Sequence, residues 1–120
     1  MTLTVNQLSF KQEVLASSTP VLVNFWAPWC GVCKLVNPML GEIQSEWGKQ
    51  LKIVEVNADE NLRLSSAYQL TTLPTVLLFD RGLLLCRVEK LSNRNDFQKA
   101  ANDLRRALET LSISEYSYSA

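Results

Sequence analysis

The stretch Val21-Leu22-Val23-Asn24-Phe25-Trp26-Ala27-Pro28-Trp29-Cys30-Gly31-Val32-Cys33-Lys34 decides how this chain is read. Its first six residues follow Pro20 and are apolar except for Asn24, a pattern that fits a strand buried on both faces in a parallel sheet. From Cys30 onward the period changes. Val32, Leu35, Val36, Met39, Leu40, Ile43 and Trp47 recur at helical spacing as far as Trp47, and Pro38 should kink that helix. Two cysteines therefore stand where a buried strand gives way to a helix. The unpaired N–H groups and positive dipole end of that helix favour the thiolate of Cys30. A thiolate is the attacking species in disulfide exchange, and two intervening residues leave Cys33 within reach of it.

Working outward, Ser9-Phe10-Lys11-Gln12 has the form of a capping box, with Ser9 as cap and a short helix running to about Ala16. Downstream, Leu51 to Asn57 reads as a strand and Asp59 to Tyr68 as a short helix. Thr75 to Phe79 and Leu83 to Val88, joined through Asp80-Arg81-Gly82, predict a β-hairpin. Ser92 would cap a last helix whose apolar positions are Phe97, Ala101, Leu104, Leu108 and Leu111. The order is βαβ, a helix, a hairpin and a closing helix. It predicts one α/β domain over residues 1–111, with a mixed central sheet (parallel core plus C-terminal antiparallel hairpin) and helices on both faces. The Ser- and Tyr-rich segment 112–120 has no periodicity and is expected to be a mobile tail.

Composition narrows the chemistry. Twelve basic and twelve acidic residues cancel, so no excess charge draws a nucleic acid or an anionic membrane, and neither partner is expected. No run approaches the roughly 20 apolar residues of a membrane span. Met1 to Asn6 lacks the basic start and apolar run of a signal peptide, so a cytoplasmic setting is the default expectation. There is no histidine, which removes His-based catalysis, Cys–His pairs and His-bound metals together. Thiol or carboxylate chemistry is left. Cys-x-x-Cys is also half of many zinc sites, yet a closed site needs four ligands and only Cys86 and carboxylates remain, short of a cluster shared between chains. No metal and no cofactor are expected.

The segment Phe25 to Lys34 resembles the active site of the thioredoxin family, which normally ends Trp-Cys-Gly-Pro-Cys-Lys. The likeness runs from about residue 4 to 111 and includes Phe10-Lys11-Gln12-Glu13-Val14-Leu15, Pro38, Leu73-Pro74-Thr75, Gly82 and the closing helix. It implies the thioredoxin fold and thiol–disulfide exchange on disulfide-containing target proteins, with regeneration by a thioredoxin reductase type electron donor and a monomeric state. Cys30 would be the exposed nucleophile and Cys33 the buried resolving thiol. Trp29, Gly31, Val32, Leu73 and Pro74 would line the substrate groove, and the peptide bond before Pro74 would be cis. Taken by itself, Leu73-Pro74 predicts only a turn.

The departures from the family pattern are specific. Val32 replaces the usual proline, restoring an N–H donor between the cysteines and loosening the loop. Asn24 replaces a buried aspartate that exchanges protons with the resolving thiol, and Glu55 replaces a neighbouring buried lysine. Glu55 is either a buried carboxylate that takes over the proton transfer or a solvated strand residue. Glu89 stands where a family glycine admits a partner's backbone, so its carboxylate either recharges the docking surface or is solvated at a strand end. Cys86 reads most simply as a small buried hydrophobe. Three functions follow: reduction of target disulfides through Cys30 and Cys33, oxidase or isomerase activity at a more oxidising potential, and a binding module with little turnover. The two intact cysteines argue against the last.

Overall fold

The computed structural model describes residues 2–111 fully and only the backbone of 112–119, so the expected tail over 112–120 lies outside the fully described residues. In chain order the elements begin with β1 (Leu3–Thr4), a helical turn (Lys11–Leu15), β2 (Val21–Trp26) and a 3₁₀ turn (Gly31–Leu35). Then come α1 (Val36–Trp47), β3 (Lys52–Asn57), α2 (Leu62–Ala67), β4 (Thr75–Asp80), β5 (Leu83–Val88) and α3 (Arg94–Ser119). The sheet order is β1-β3-β2-β4-β5. β1 and β2 run parallel to β3, while β4 is antiparallel to both β2 and β5. The two-residue β1 has no periodicity of its own to reveal it in the sequence.

Alternation along the central strands divides the core in two. Leu22, Ile53, Val76 and Leu78 face one way, against Val36, Leu40 and Ile43 of α1 and Phe97, Leu104 and Leu108 of α3. Val21, Val23, Phe25, Val54, Val56, Leu77 and Phe79 face the other way, against Phe10, Val14, Leu64 and Tyr68. Helices thus cover both faces of a mixed sheet, the predicted α/β architecture. The hairpin turns at Arg81 and Gly82, both with positive φ, as a two-residue turn between right-twisted strands requires. A Cβ on Gly82 would also meet the Leu15 carbonyl oxygen at 3.2 Å.

Three local expectations are corrected. The helix after Cys30 begins as a 3₁₀ turn and becomes α-helical only at Val36, which places Pro38 in the first α turn, where its missing N–H costs little. The tighter turn rotates Leu35 out of the apolar stripe, leaving it 53% exposed. The first capping box lies three residues earlier than the spacing suggested. Asn6 Oδ1 accepts from the N–H groups of Leu8 and Ser9, and Ser9 Oγ accepts from the Asn6 N–H. Asn93 rather than Ser92 caps α3, its Oδ1 accepting from the Asp96 N–H at 2.9 Å, while Ser92 donates to the Asp96 carboxylate.

Candidate active site

β2 ends at Trp26, and Ala27-Pro28-Trp29 turns the chain so that the Cys30 N–H donates to the Ala27 carbonyl at 3.1 Å. Cys30 keeps an extended backbone and serves as the cap of the 3₁₀ turn, within which the Cys33 N–H donates back to the Cys30 carbonyl. This geometry brings the two residues to a Cα–Cα distance of 5.4 Å, and they are joined as a disulfide. Here the expectation of an exposed Cys30 and a buried Cys33 is corrected. In the oxidised pair each is only 6% exposed, packed with Ala27 and against Trp26, Val32 and Leu73. The neighbours of the two sulfurs are what distinguish them. The carbonyl oxygen of Leu73 lies 3.5 Å from Cys30 Sγ, across from the disulfide, and the Leu73–Pro74 peptide bond is cis.

On one side of the disulfide is a cleft of about 240 Å³ lined by Cys30, Cys33, Asn24, Trp26, Lys34 and Glu55, among others. Asn24 of β2 is in register with Glu55 of β3, so both side chains leave the sheet on the same face. Asn24 is 3% exposed and its Oδ1 has no hydrogen-bond partner. The indole Nε1 of Trp26, two residues along the same face, is also shut from solvent and unpartnered. Among the described residues these are the two buried side-chain polar atoms left in that condition, one an acceptor and one a donor. Glu55 is half-buried rather than sealed, which corrects the buried reading, and its carboxylate accepts from Thr4 Oγ1 at 3.2 Å.

On the other side runs a groove walled by Trp29, Asp59, Leu62, Thr71, Thr72 and Leu73. Trp29 and Leu62 are each 69% exposed and give the groove an apolar surface. Gly31 is exposed and Val32 half-buried at the lip of the disulfide. Glu89 does not recharge this surface by itself. Its carboxylate is paired with Arg87 at 2.5 Å. Cys86 is half-buried on β5 against the α1–α3 core, where burial, and then the Asp103 carboxylate, push its thiol above the ordinary range. It is a protonated packing residue at neutral pH. Among the described residues no three Cys, Asp or Glu side chains are grouped to hold a metal ion, and no helix is long and apolar enough to cross a membrane.

The family model for thioredoxin matches residues 1–105. The chain belongs to the thioredoxin family. It is 50% identical over 78 residues to thioredoxin 1 of Synechococcus elongatus, a match covering 65% of this chain and 73% of that protein. It is 47% identical over the same span to thioredoxin 1 of a Nostoc species, with the same coverage. A Rickettsia felis thioredoxin is 46% identical over 78 residues, covering 65% of this chain and 74% of its own. With the cysteine pair joined at the strand-to-turn junction, family membership makes this chain a thiol–disulfide oxidoreductase that acts on disulfide-containing proteins and exchanges electrons with a reductase.

Some participants in the thioredoxin site were not legible in the sequence. Asp59 reads there as a helix start, but it accepts from the Trp29 indole thirty positions away. Trp26 reads as a strand residue, and nothing local announces that its ring nitrogen is left unpaired in the cleft. Arg87 reads as a polar strand residue, yet it holds the backbone of the groove loop. All three depend on contacts between distant segments, which periodicity cannot report.

Proposed function

We propose that this chain is a monomeric, single-domain carrier of two electrons that reduces disulfides of cytoplasmic target proteins, with Glu55 as the proton acceptor for the resolving thiol. The Cys30 thiolate attacks one sulfur of the target disulfide. A bond forms between the two sulfurs, and the second target sulfur leaves as a thiolate. Cys33 then loses its proton and attacks Cys30 Sγ, breaking the mixed disulfide, closing the Cys30–Cys33 bond and releasing the first target sulfur, the one Cys30 had attacked, as a thiolate. The target gains two electrons and the chain is oxidised. A reductase dithiol reverses the oxidation.

The cleft beside the disulfide supports the proton path. Cys33 and Glu55 line the same space, and so do Asn24 and Trp26, whose Oδ1 and Nε1 have no protein partner. Buried polar atoms of this kind are ordinarily completed by water, and one water can donate to the amide oxygen while accepting from the indole. Such a water relays a proton from Cys33 toward the carboxylate. Asn24 can orient that water but cannot take the proton.

Insulin reduction driven by a thioredoxin reductase tests the reading. Cys30→Ser should abolish turnover, while Cys33→Ser should accumulate a stable mixed disulfide through Cys30. Full activity in Cys30→Ser would remove the proposal.

A further inference from the structure

The groove loop between α2 and β4 is anchored at its start by Tyr68, whose ring packs against Phe10, Phe25 and Phe79. Beyond it Gln69, Thr71 and Thr72 are exposed, and Leu70 and Leu73 are half-buried against the core beneath. Yet this loop carries the Leu73 carbonyl that lies 3.5 Å from Cys30 Sγ, and it forms one wall of the groove beside Trp29. Polar contacts fix the exposed part of the loop that these apolar side chains do not hold. The last carbonyls of α2 and its exit turn lack helical partners and carry the negative end of the helix dipole. The guanidinium of Arg87, on the edge strand β5, reaches two of them. One terminal nitrogen donates to the Tyr68 carbonyl and the other donates to the Gln69 carbonyl at 2.9 Å. The remaining edge of the fork, Nε, donates to Glu89 Oε2 at 2.5 Å, which balances the charge and fixes the side chain's orientation.

A second tie follows directly in sequence. The Lys90 N–H donates to Thr72 Oγ1 at 3.1 Å, and Thr75 Oγ1 donates to the Thr72 carbonyl at 2.7 Å. The end of β5 therefore grips the loop at its base through Arg87 and near its tip through Thr72. We infer that Arg87, oriented by Glu89, is a positioning residue for target-protein binding, holding the 68–73 loop at the distance from Cys30 that an extended substrate segment needs. The inference rests on the reductase reading above and adds a determinant that touches neither thiol. Lysine cannot replace the arginine fully, because one ammonium cannot span two carbonyls and a carboxylate in a plane. The effect belongs to docking, so a small disulfide that needs no groove should not register it.

Steady-state kinetics with insulin and with hydroxyethyl disulfide separate these cases. Arg87→Ala should raise KM for insulin about tenfold, short of the roughly hundredfold that a misplacement of about 1 Å can cost, with kcat within about twofold. Hydroxyethyl disulfide reduction should be unchanged. Arg87→Lys should recover part of the KM, and Glu89→Gln should fall between native and Arg87→Ala. An unchanged insulin KM in Arg87→Ala would overturn the inference, as would equal losses on the two substrates. Failure of the native protein to reduce either substrate would instead count against the reductase reading itself.

Discussion

The indole Nε1 of Trp29 donates to Oδ2 of Asp59 at 2.6 Å, tying the residue before the redox disulfide to the turn that follows β3. Burial does not hold this ring, which is 69% exposed, so the charge-assisted bond sets its orientation. Asp59→Ala should free the indole and raise KM for insulin about threefold, a modest loss because solvent already competes for both partners. Asp59→Asn keeps an acceptor oxygen and should retain most of the affinity. Equal KM values for native and Asp59→Ala proteins would mean that the bond does not order the groove.

Val32 lies in the first turn of the 3₁₀ segment, where a proline is sterically admissible and no helical hydrogen bond is lost. An N–H beside the sulfurs favours the thiolate and hence the reduced form. Val32→Pro removes that donor and stiffens the turn, so the disulfide should become harder to reduce, by about 10 to 30 mV for one ordinary hydrogen bond. Equilibration with a glutathione buffer measures the shift. A potential that rises or stays fixed would show that the valine acts in another way.

How much of this was readable in advance varied with the range of the contact. The run from Val21 to Trp26, the stripe from Val36 to Ile43 and the Arg81-Gly82 turn are local patterns, and each produced the expected element. The errors lay at element ends, where two cap residues compete. Ser9 and Ser92 each stand next to an asparagine-centred network, and the asparagine takes the cap in both. Leu35 was misplaced because a 3₁₀ turn advances each residue further around the axis than an α-helix does. At the site, both cysteines were plain from their spacing and context. The half-burial of Glu55 was not, because it depends on a two-residue strand whose Thr4 reaches its carboxylate.

Cys86 should be the slow thiol. Burial favours its neutral form and the Asp103 carboxylate opposes the thiolate further, so its folded pKa lies above the ordinary value. After reduction of the Cys30–Cys33 bond, iodoacetamide at neutral pH should label Cys30 well ahead of Cys86, as mass mapping would reveal. The linked stability has a definite sign. The thiol's preference for the fold is fully present below the unfolded pKa, near 8.5, and is lost as pH rises through the folded value. Cys86→Ala should remove this alkaline dependence from the unfolding free energy.

Asp96 titrates with the opposite sign. The Ser92 N–H and hydroxyl donate to its carboxylate, and with the Asn93 backbone and Lys99 they hold it below the ordinary carboxylate range. Its contribution is present above the unfolded pKa, near 3.9, and disappears as pH falls through the folded value. Protection of the first-turn amides of α3, taken against the intrinsic exchange rate at each pH, should therefore fall in acid, and Asp96→Asn should flatten that response. Asn93→Ala removes the cap itself and should cost about 1 kcal/mol at any pH, read from denaturant unfolding. An Asn93→Ala protein as stable as native would place the cap elsewhere.

The exchange of charged positions beneath the disulfide makes the most demanding prediction. Asn24 and Glu55 are register partners on adjacent strands and line the cleft with Cys33, but only Glu55 can accept a proton. The resolving thiol must ionise before it attacks Cys30, and with no histidine in the chain the carboxylate is the base at hand. Glu55→Gln preserves shape and the Thr4 contact while removing the base. Single-turnover release of reduced insulin should slow by roughly tenfold, at the lower edge of what a positioned base contributes, because water remains as a poorer acceptor. Formation of the mixed disulfide, which needs only Cys30, should keep its native rate. Adding Asn24→Asp to Glu55→Gln should restore part of the release rate by returning a carboxylate to the same cleft. That carboxylate would be nearly sealed, since position 24 is 3% exposed, so desolvation should raise its pKa. Its folded form is then favoured at low pH, and the benefit is lost as pH rises through the raised value, so the double variant should be less stable than Glu55→Gln at neutral pH. If Glu55→Gln released reduced insulin at the native rate across the pH range, the proton would have to leave Cys33 through water alone, and Glu55 would serve only as the strand partner of Thr4.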